Sequence, residues 1–66
     1  MMSTVGQNIK KARENHNLTQ EELAFKLRVG LARVEKYESG EQIPDTNMIL
    51  LISTVLDVPT SELIAQ

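Results

Sequence analysis

No cysteine occurs among the 66 residues, and only one histidine does. Disulfides are therefore excluded, as are Cys-based zinc or redox chemistry and any multi-histidine metal site. Long apolar runs are missing too. The longest, Met48-Ile49-Leu50-Leu51-Ile52, is far short of the roughly 20 residues a helix needs to cross a bilayer. Met1-Met2-Ser3-Thr4 offers no basic start followed by an apolar stretch, so no signal peptide is expected and a cytoplasmic protein is. There is no Gly-rich phosphate loop, and no histidine stands near a serine at a suggestive spacing. An enzyme is not expected, nor is a cofactor or a metal.

Basic residues are absent from one half of the chain. Residues 1–36 hold all seven Lys and Arg against four acids, a balance of +3; residues 37–66 hold five acids and no base, a balance of −5. The formal net charge of −2 hides this asymmetry. A basic side suggests an anionic partner and an acidic remainder favours solubility. The pI near 5.2 weighs against a strong, non-specific nucleic-acid binder. The length allows one domain, residues 1–66, with its core within 5–64. A chain this small has a thin stability margin and often gains by pairing with a second copy.

What is present is helical punctuation. Val5, Ile9, Ala12 and His16 share one face of a first helix from about Val5 to Asn15, and Asn15-His16-Asn17 reads as its stop. Thr19 followed by Glu22 is a capping-box pattern, with Leu18 and Leu23 placed as a hydrophobic staple. In this second helix Leu23, Ala24 and Leu27 face inward, and Phe25 faces away. Arg28-Val29-Gly30 is a tight turn. A third helix, about Leu31 to Ser39, turns Val34 and Tyr37 inward and ends at Gly40. Pro44 breaks the chain and Asp45 caps a fourth helix, about Thr46 to Leu56, closed by Asp57. Met48, Ile49, Leu51, Ile52, Val55 and Leu56 make its apolar face, with Leu50 outside it. A short terminal helix, about Thr60 to Ala65, turns Leu63 and Ile64 inward. The pattern is all-α, with five helices. The short link between the second and third helices has helix-turn-helix geometry over about residues 19–39.

Three stretches carry a resemblance. They are Leu18-Thr19-Gln20-Glu21-Glu22-Leu23-Ala24-Phe25-Lys26-Leu27, Val34-Glu35-Lys36-Tyr37-Glu38-Ser39-Gly40, and Pro44-Asp45 through Leu56-Asp57-Val58. Together they resemble the phage-repressor/Cro/Xre helix-turn-helix family. The resemblance implies a lambda-repressor-like domain that binds double-stranded DNA and regulates transcription, most simply as a homodimeric repressor on a near-palindromic operator.

The mechanics stand beside the name. A recognition helix needs short or polar side chains on its outer face to enter the major groove, about 12 Å wide, and Ala32, Arg33 and Lys36 qualify. By position, Leu31, Ala32 and Lys36 match the family's base-edge readers. Gln20 matches its phosphate-clamping glutamine, and Ser39 a phosphate contact before the terminal glycine. Thr19 and Arg13 join the expected phosphate set. The resemblance also implies a structural ion pair between Arg13 and Glu38. The apolar surface of the fourth and terminal helices, namely Leu50, Val58, Leu63 and Ile64, is the candidate dimer interface.

Departures from the family pattern carry their own expectations. Arg28 stands where glycine is usual, so a left-handed Arg costing roughly 1 kcal/mol is expected. Gly30 replaces a Ser or Thr cap, and Glu41 replaces a basic loop residue. Leu31 and Ala32 are apolar where hydrogen-bonding readers are common. Leu31, Ala32, Glu41 and the net charge favour an alternative, a protein-interaction module on the same fold with little DNA affinity. A regulatory protein is accordingly a further candidate partner.

Overall fold

The computed structural model describes residues 4–66; the signal-peptide expectation at Met1-Met2-Ser3 lies outside the described residues. Five α-helices follow one another: α1 (Thr4–Asn15), α2 (Gln20–Leu27), α3 (Leu31–Ser39), α4 (Thr46–Leu56) and α5 (Thr60–Ile64). There are no strands among the described residues. The expected all-α, five-helix architecture is the one found.

The caps explain where these helices begin. Thr19 accepts a hydrogen bond from the Glu22 amide at 3.0 Å, and its own amide donates to Glu22 Oε1 at 2.8 Å, which completes the capping box. Asp45 accepts from the Met48 amide at 2.8 Å and starts α4. Gly30 begins α3 with no side-chain hydrogen bond.

The helix ends share one device. After α1, α2 and α4 the chain passes through a left-handed residue, Asn17 (φ 60°), Arg28 (φ 60°) and Asp57 (φ 55°) respectively. The next amide then reaches back to close the end: Leu18 to Arg13 O (3.1 Å), Val29 to Ala24 O (3.0 Å) and Val58 to Ser53 O (3.0 Å). This is the Schellman pattern, and its apolar closing residue packs back on the helix. Leu18, Val29 and Val58 are those residues, each half-buried against the core. Gly40, at φ 84°, ends α3.

The core joins all five helices through Ile9 and Ala12, Leu23, Ala24 and Leu27, Val34 and Tyr37, Ile49, Ile52 and Leu56, and Leu63. Helix α1 packs against α3, α5 and α4, while α2 bridges α3 and α4. Burying a large aliphatic side chain contributes roughly 1.5–3 kcal/mol, so a core of this size supports one small domain. At α1 the closeness has a specific cause. A Cβ on Gly6 would lie 2.7 Å from the carbonyl oxygen of Glu38 and closer still to that of Tyr37. Only glycine lets α1 approach the α3 backbone this closely.

Three inward expectations and one interface expectation need correction. His16 is exposed, because α1 ends at Asn15 and the left-handed Asn17 swings the chain away. Leu51 is exposed because the buried stripe of α4 is only Ile49, Ile52 and Leu56. Ile64 also faces outward, since Leu63 beside it takes the core position of this five-residue helix. Leu63 is itself corrected as an interface residue: it is fully buried and has no surface to offer.

Candidate nucleic-acid interface

The interface is built from the α2–α3 turn outward. Arg28, in the left-handed conformation expected of it, lets only Val29 and Gly30 separate it from α3. Val34, Tyr37 and Glu38 are the buried residues of α3, which fixes the side of the helix that faces solvent. On that outward side Leu31, Ala32, Arg33, Lys36 and Ser39 are all exposed. Ala32, Lys36 and Ser39 fall nearest its centre, taking about 100° per residue. Glu35 is exposed on the same face.

A buried polar network holds this helix against α1 and α2. Arg13 Nε donates to Glu38 Oε2 at 2.6 Å and Nη2 donates to Glu38 Oε1 at 3.1 Å, a two-pronged pair. Arg13 Nη1 donates to the Leu18 carbonyl at 2.7 Å. Gln20 Nε2 donates to Glu38 Oε1 at 3.0 Å. One carboxylate on α3 thus gathers a donor from α1 and a donor from α2. Hydrogen bonding to Glu38 raises the Arg13 pKa above its ordinary value, with burial opposing and the charges of Glu38 and Glu14 assisting. A raised folded-state pKa stabilises the fold below the unfolded value and is lost only as pH rises through the raised one. For a guanidinium that window lies on the far alkaline side, so the pair keeps Arg13 charged at any ordinary pH.

The expected contact residues do not all stand free. Arg13 is corrected as a phosphate contact: it is 7% exposed, and its fork is turned onto Glu38 and Leu18. The expected Arg13–Glu38 pair is present. Gln20 sits at the first turn of α2, and its amide keeps a second N–H beyond the one given to Glu38. Thr19 accepts the Glu22 amide and retains its hydroxyl proton. Ser39 Oγ donates to the Lys36 carbonyl at 3.2 Å and accepts from the Glu41 amide at 3.3 Å, so it serves the end of α3 as well. Arg33 leans along its helix, with Nη1 3.4 Å from the Tyr37 hydroxyl. Leu31, Ala32 and Lys36 project without such ties.

Two features escaped the sequence. Gly6 carries no periodic signal, since its role is to lack a side chain where α3 passes. Asn8 Nδ2 donates to the Leu63 carbonyl at 2.9 Å and to the Ala65 carbonyl at 2.7 Å, tying α1 to the end of α5. No local pattern announces a bond between positions so far apart. Among the described residues no cluster of His, Cys, Asp and Glu is arranged to hold a metal ion, and no helix is long and apolar enough to cross a membrane.

A helix-turn-helix family model matches residues 9–63 of the chain. The chain belongs to this family, of the Cro/Xre type. It is 33% identical over 63 residues to the HTH-type transcriptional regulator ImmR of Bacillus subtilis (strain 168), covering 96% of this chain and 50% of that protein. Among solved structures it is similar to the restriction-modification controller protein C.AhdI of Aeromonas hydrophila, with 32% identity, a TM-score of 0.84 and 91% of each chain covered. It is also similar to the biofilm master regulator SinR solved in complex with DNA, at 31% identity and a TM-score of 0.84, covering 91% of this chain and 97% of that one. The chain spans about half the length of the curated relatives it matches. The helix-turn-helix family is one of transcriptional regulators rather than enzymes.

Proposed function

We propose that this helix-turn-helix domain binds duplex DNA sequence-specifically and represses transcription in the cytoplasm as a homodimer. The observation that carries the reading is the outward face of α3, exposed along its length and flanked by a Gln20 amide that Glu38 holds in place. Lys36 donates to guanine O6 or N7, and Ala32 and Leu31 make apolar contact with thymine methyls. Arg33 leaves the Tyr37 hydroxyl to join them. Gln20 and Thr19 donate to phosphates at the start of α2, where the helix dipole favours an anion. Ser39 contacts a phosphate by giving up its bond to the Lys36 carbonyl.

Pairing uses the apolar surface of α4, α5 and the loop before α4. Leu50 (52% exposed) and Ile64 (53%) lie beside a hollow lined by Pro44, Thr46, Ile49 and Thr60, and Ile43 (59%) adds apolar area. Val58 contributes only its half-exposed edge, because it closes the end of α4. Two copies joined there set their recognition helices about 34 Å apart, one turn of DNA, and read a near-palindromic site.

Glu35 on the outward face, Glu41 beyond it and the net charge of −2 favour the second reading, a protein-interaction module. Selection of bound duplexes from a random pool decides between them. The DNA reading expects a symmetric enriched site whose affinity falls steeply with salt, as phosphate contacts require. It also expects Lys36→Ala to relax preference at one base position and Gln20→Ala to weaken all sites alike. Absence of enrichment at low salt overturns it in favour of the interaction module.

A further inference from the structure

We infer that the outer face of α2 is a second contact between copies of this chain, in which Phe25 meets Phe25 of another copy across a two-fold axis. The DNA-binding reading supplies its setting; its geometry stands without it. Phe25 is 84% exposed, the most exposed large apolar side chain among the described residues. It lies about 140° around α2 from Gln20, taking 100° per residue, so it faces away from the proposed phosphate edge. The proposed α4–α5 pairing surface does not use it either. Two shallow hollows flank it. One is lined by Glu21, Glu22 and Lys26, the other by Ala24, Lys26, Arg28 and Val29.

The charges beside Phe25 say what covers it. Glu21 lies one turn before Phe25 and lines the hollow on one side of it, and Arg28, the left-handed residue that ends α2, lines the hollow on the other. Glu22 and Lys26 repeat the order, acid before base, on the adjoining strip of α2. Among the described residues none of Glu21, Lys26 and Arg28 has an ion pair within the chain. A parallel neighbour would set Glu21 against Glu21. An antiparallel copy sets Glu21 over Arg28 and Arg28 over Glu21, and a two-fold contact must be self-complementary in this way. At 1.5 Å per residue, Glu21 lies about 6 Å and Arg28 about 4.5 Å along the helix from Phe25. These offsets are close enough for both ion pairs to form while the two rings straddle the axis, each in a flanking hollow of the other. One helix face falls short of the roughly 1,000 Å² expected of a free-standing interface. The contact is therefore weak and transient between free chains, and it gains weight where DNA already holds two homodimers side by side at high effective concentration. The result is cooperative occupation of neighbouring operators.

The absence of cysteine makes this directly testable without DNA. Phe25→Cys provides a single thiol on the proposed axis and keeps the Glu21 and Arg28 charges that set the antiparallel register, which is what this arm reads, and Glu14→Cys provides an exposed control elsewhere. Under mild oxidation the Phe25→Cys chain is expected to cross-link roughly tenfold faster than the control, to lose that advantage on adding Glu21→Arg, and to regain it when Arg28→Glu is added as well. Equal rates at the two positions, or a charge swap that fails to restore cross-linking, overturn the proposal and leave the face to a different protein. A second arm uses duplexes carrying one or two copies of the selected site at varied spacing. Phe25→Ala should leave single-site affinity unchanged and remove a gain of roughly tenfold at paired sites. Loss of all single-site binding by the unaltered chain defeats the DNA reading alone, and the cross-linking result then decides the contact.

Discussion

The two ends of this small fold are held by different chemistry. Around α3, orientation comes from a buried carboxylate that collects Arg13 and Gln20, with no unsatisfied side-chain polar atom left buried among the described residues. Around α4 and α5, attachment comes from apolar burial of Ile49, Ile52, Leu56 and Leu63 and from the neutral Asn8 bonds to the end of α5, and further apolar side chains are left in solvent. A buried ion pair contributes little net stability but fixes geometry, whereas apolar burial contributes stability and tolerates small shifts. The end proposed to read DNA thus has rigid placement, and the end proposed to pair has spare adhesive surface.

Substitutions can break this contrast in descending order of effect. Arg13→Met leaves Glu38 charged and buried, and chemical denaturation should register a loss of about 3–5 kcal/mol. Adding Glu38→Leu should recover much of that loss while DNA binding stays impaired, because Gln20 loses its anchor. A double variant that binds DNA normally would remove the distinction between placement and stability. Leu63→Ala empties a core position at the other end and should cost roughly 2–5 kcal/mol, read as a lowered denaturation midpoint. Arg28→Gly relieves a left-handed side chain but loosens the unfolded chain, so a net gain of only about 0.5 kcal/mol is expected from thermal melting. Leu50→Lys should change monomer stability by less than about 0.5 kcal/mol. Sedimentation should nevertheless show it shifted from dimer to monomer, and a dimer that survives would move the pairing surface elsewhere.

Much of the fold was legible because its signals are local. Thr19 and Glu22, Asp45, Gly40 and Asp57 lie within a turn of the helix ends they set, and each acts as its residue type suggests. Arg28 was legible as an exception, since the turn demands a left-handed residue and the chain supplies no glycine there. The Arg13–Glu38 pair came from resemblance, because nothing in the spacing of the two residues joins them. What stayed hidden depends on packing between distant segments. Leu63 looks the same in sequence whether it lines an interface or fills a core, and only the approach of α1 to α5 decides it. Arg13 illustrates the same limit for charge, since a basic residue meant for an anion and one meant for a buried acid are spelled alike. Val58 became readable as a helix closure only once the left-handed Asp57 before it was seen.

The missing side chain at Gly6 acts as a depth gauge for the whole reading head. With no methyl group there, α1 lets the back of α3 settle against it, which sets how far Ala32 and Lys36 protrude beyond the body of the domain. Any larger residue at that point would wedge the two apart and shift at once every side chain proposed to enter the groove, without altering any of them.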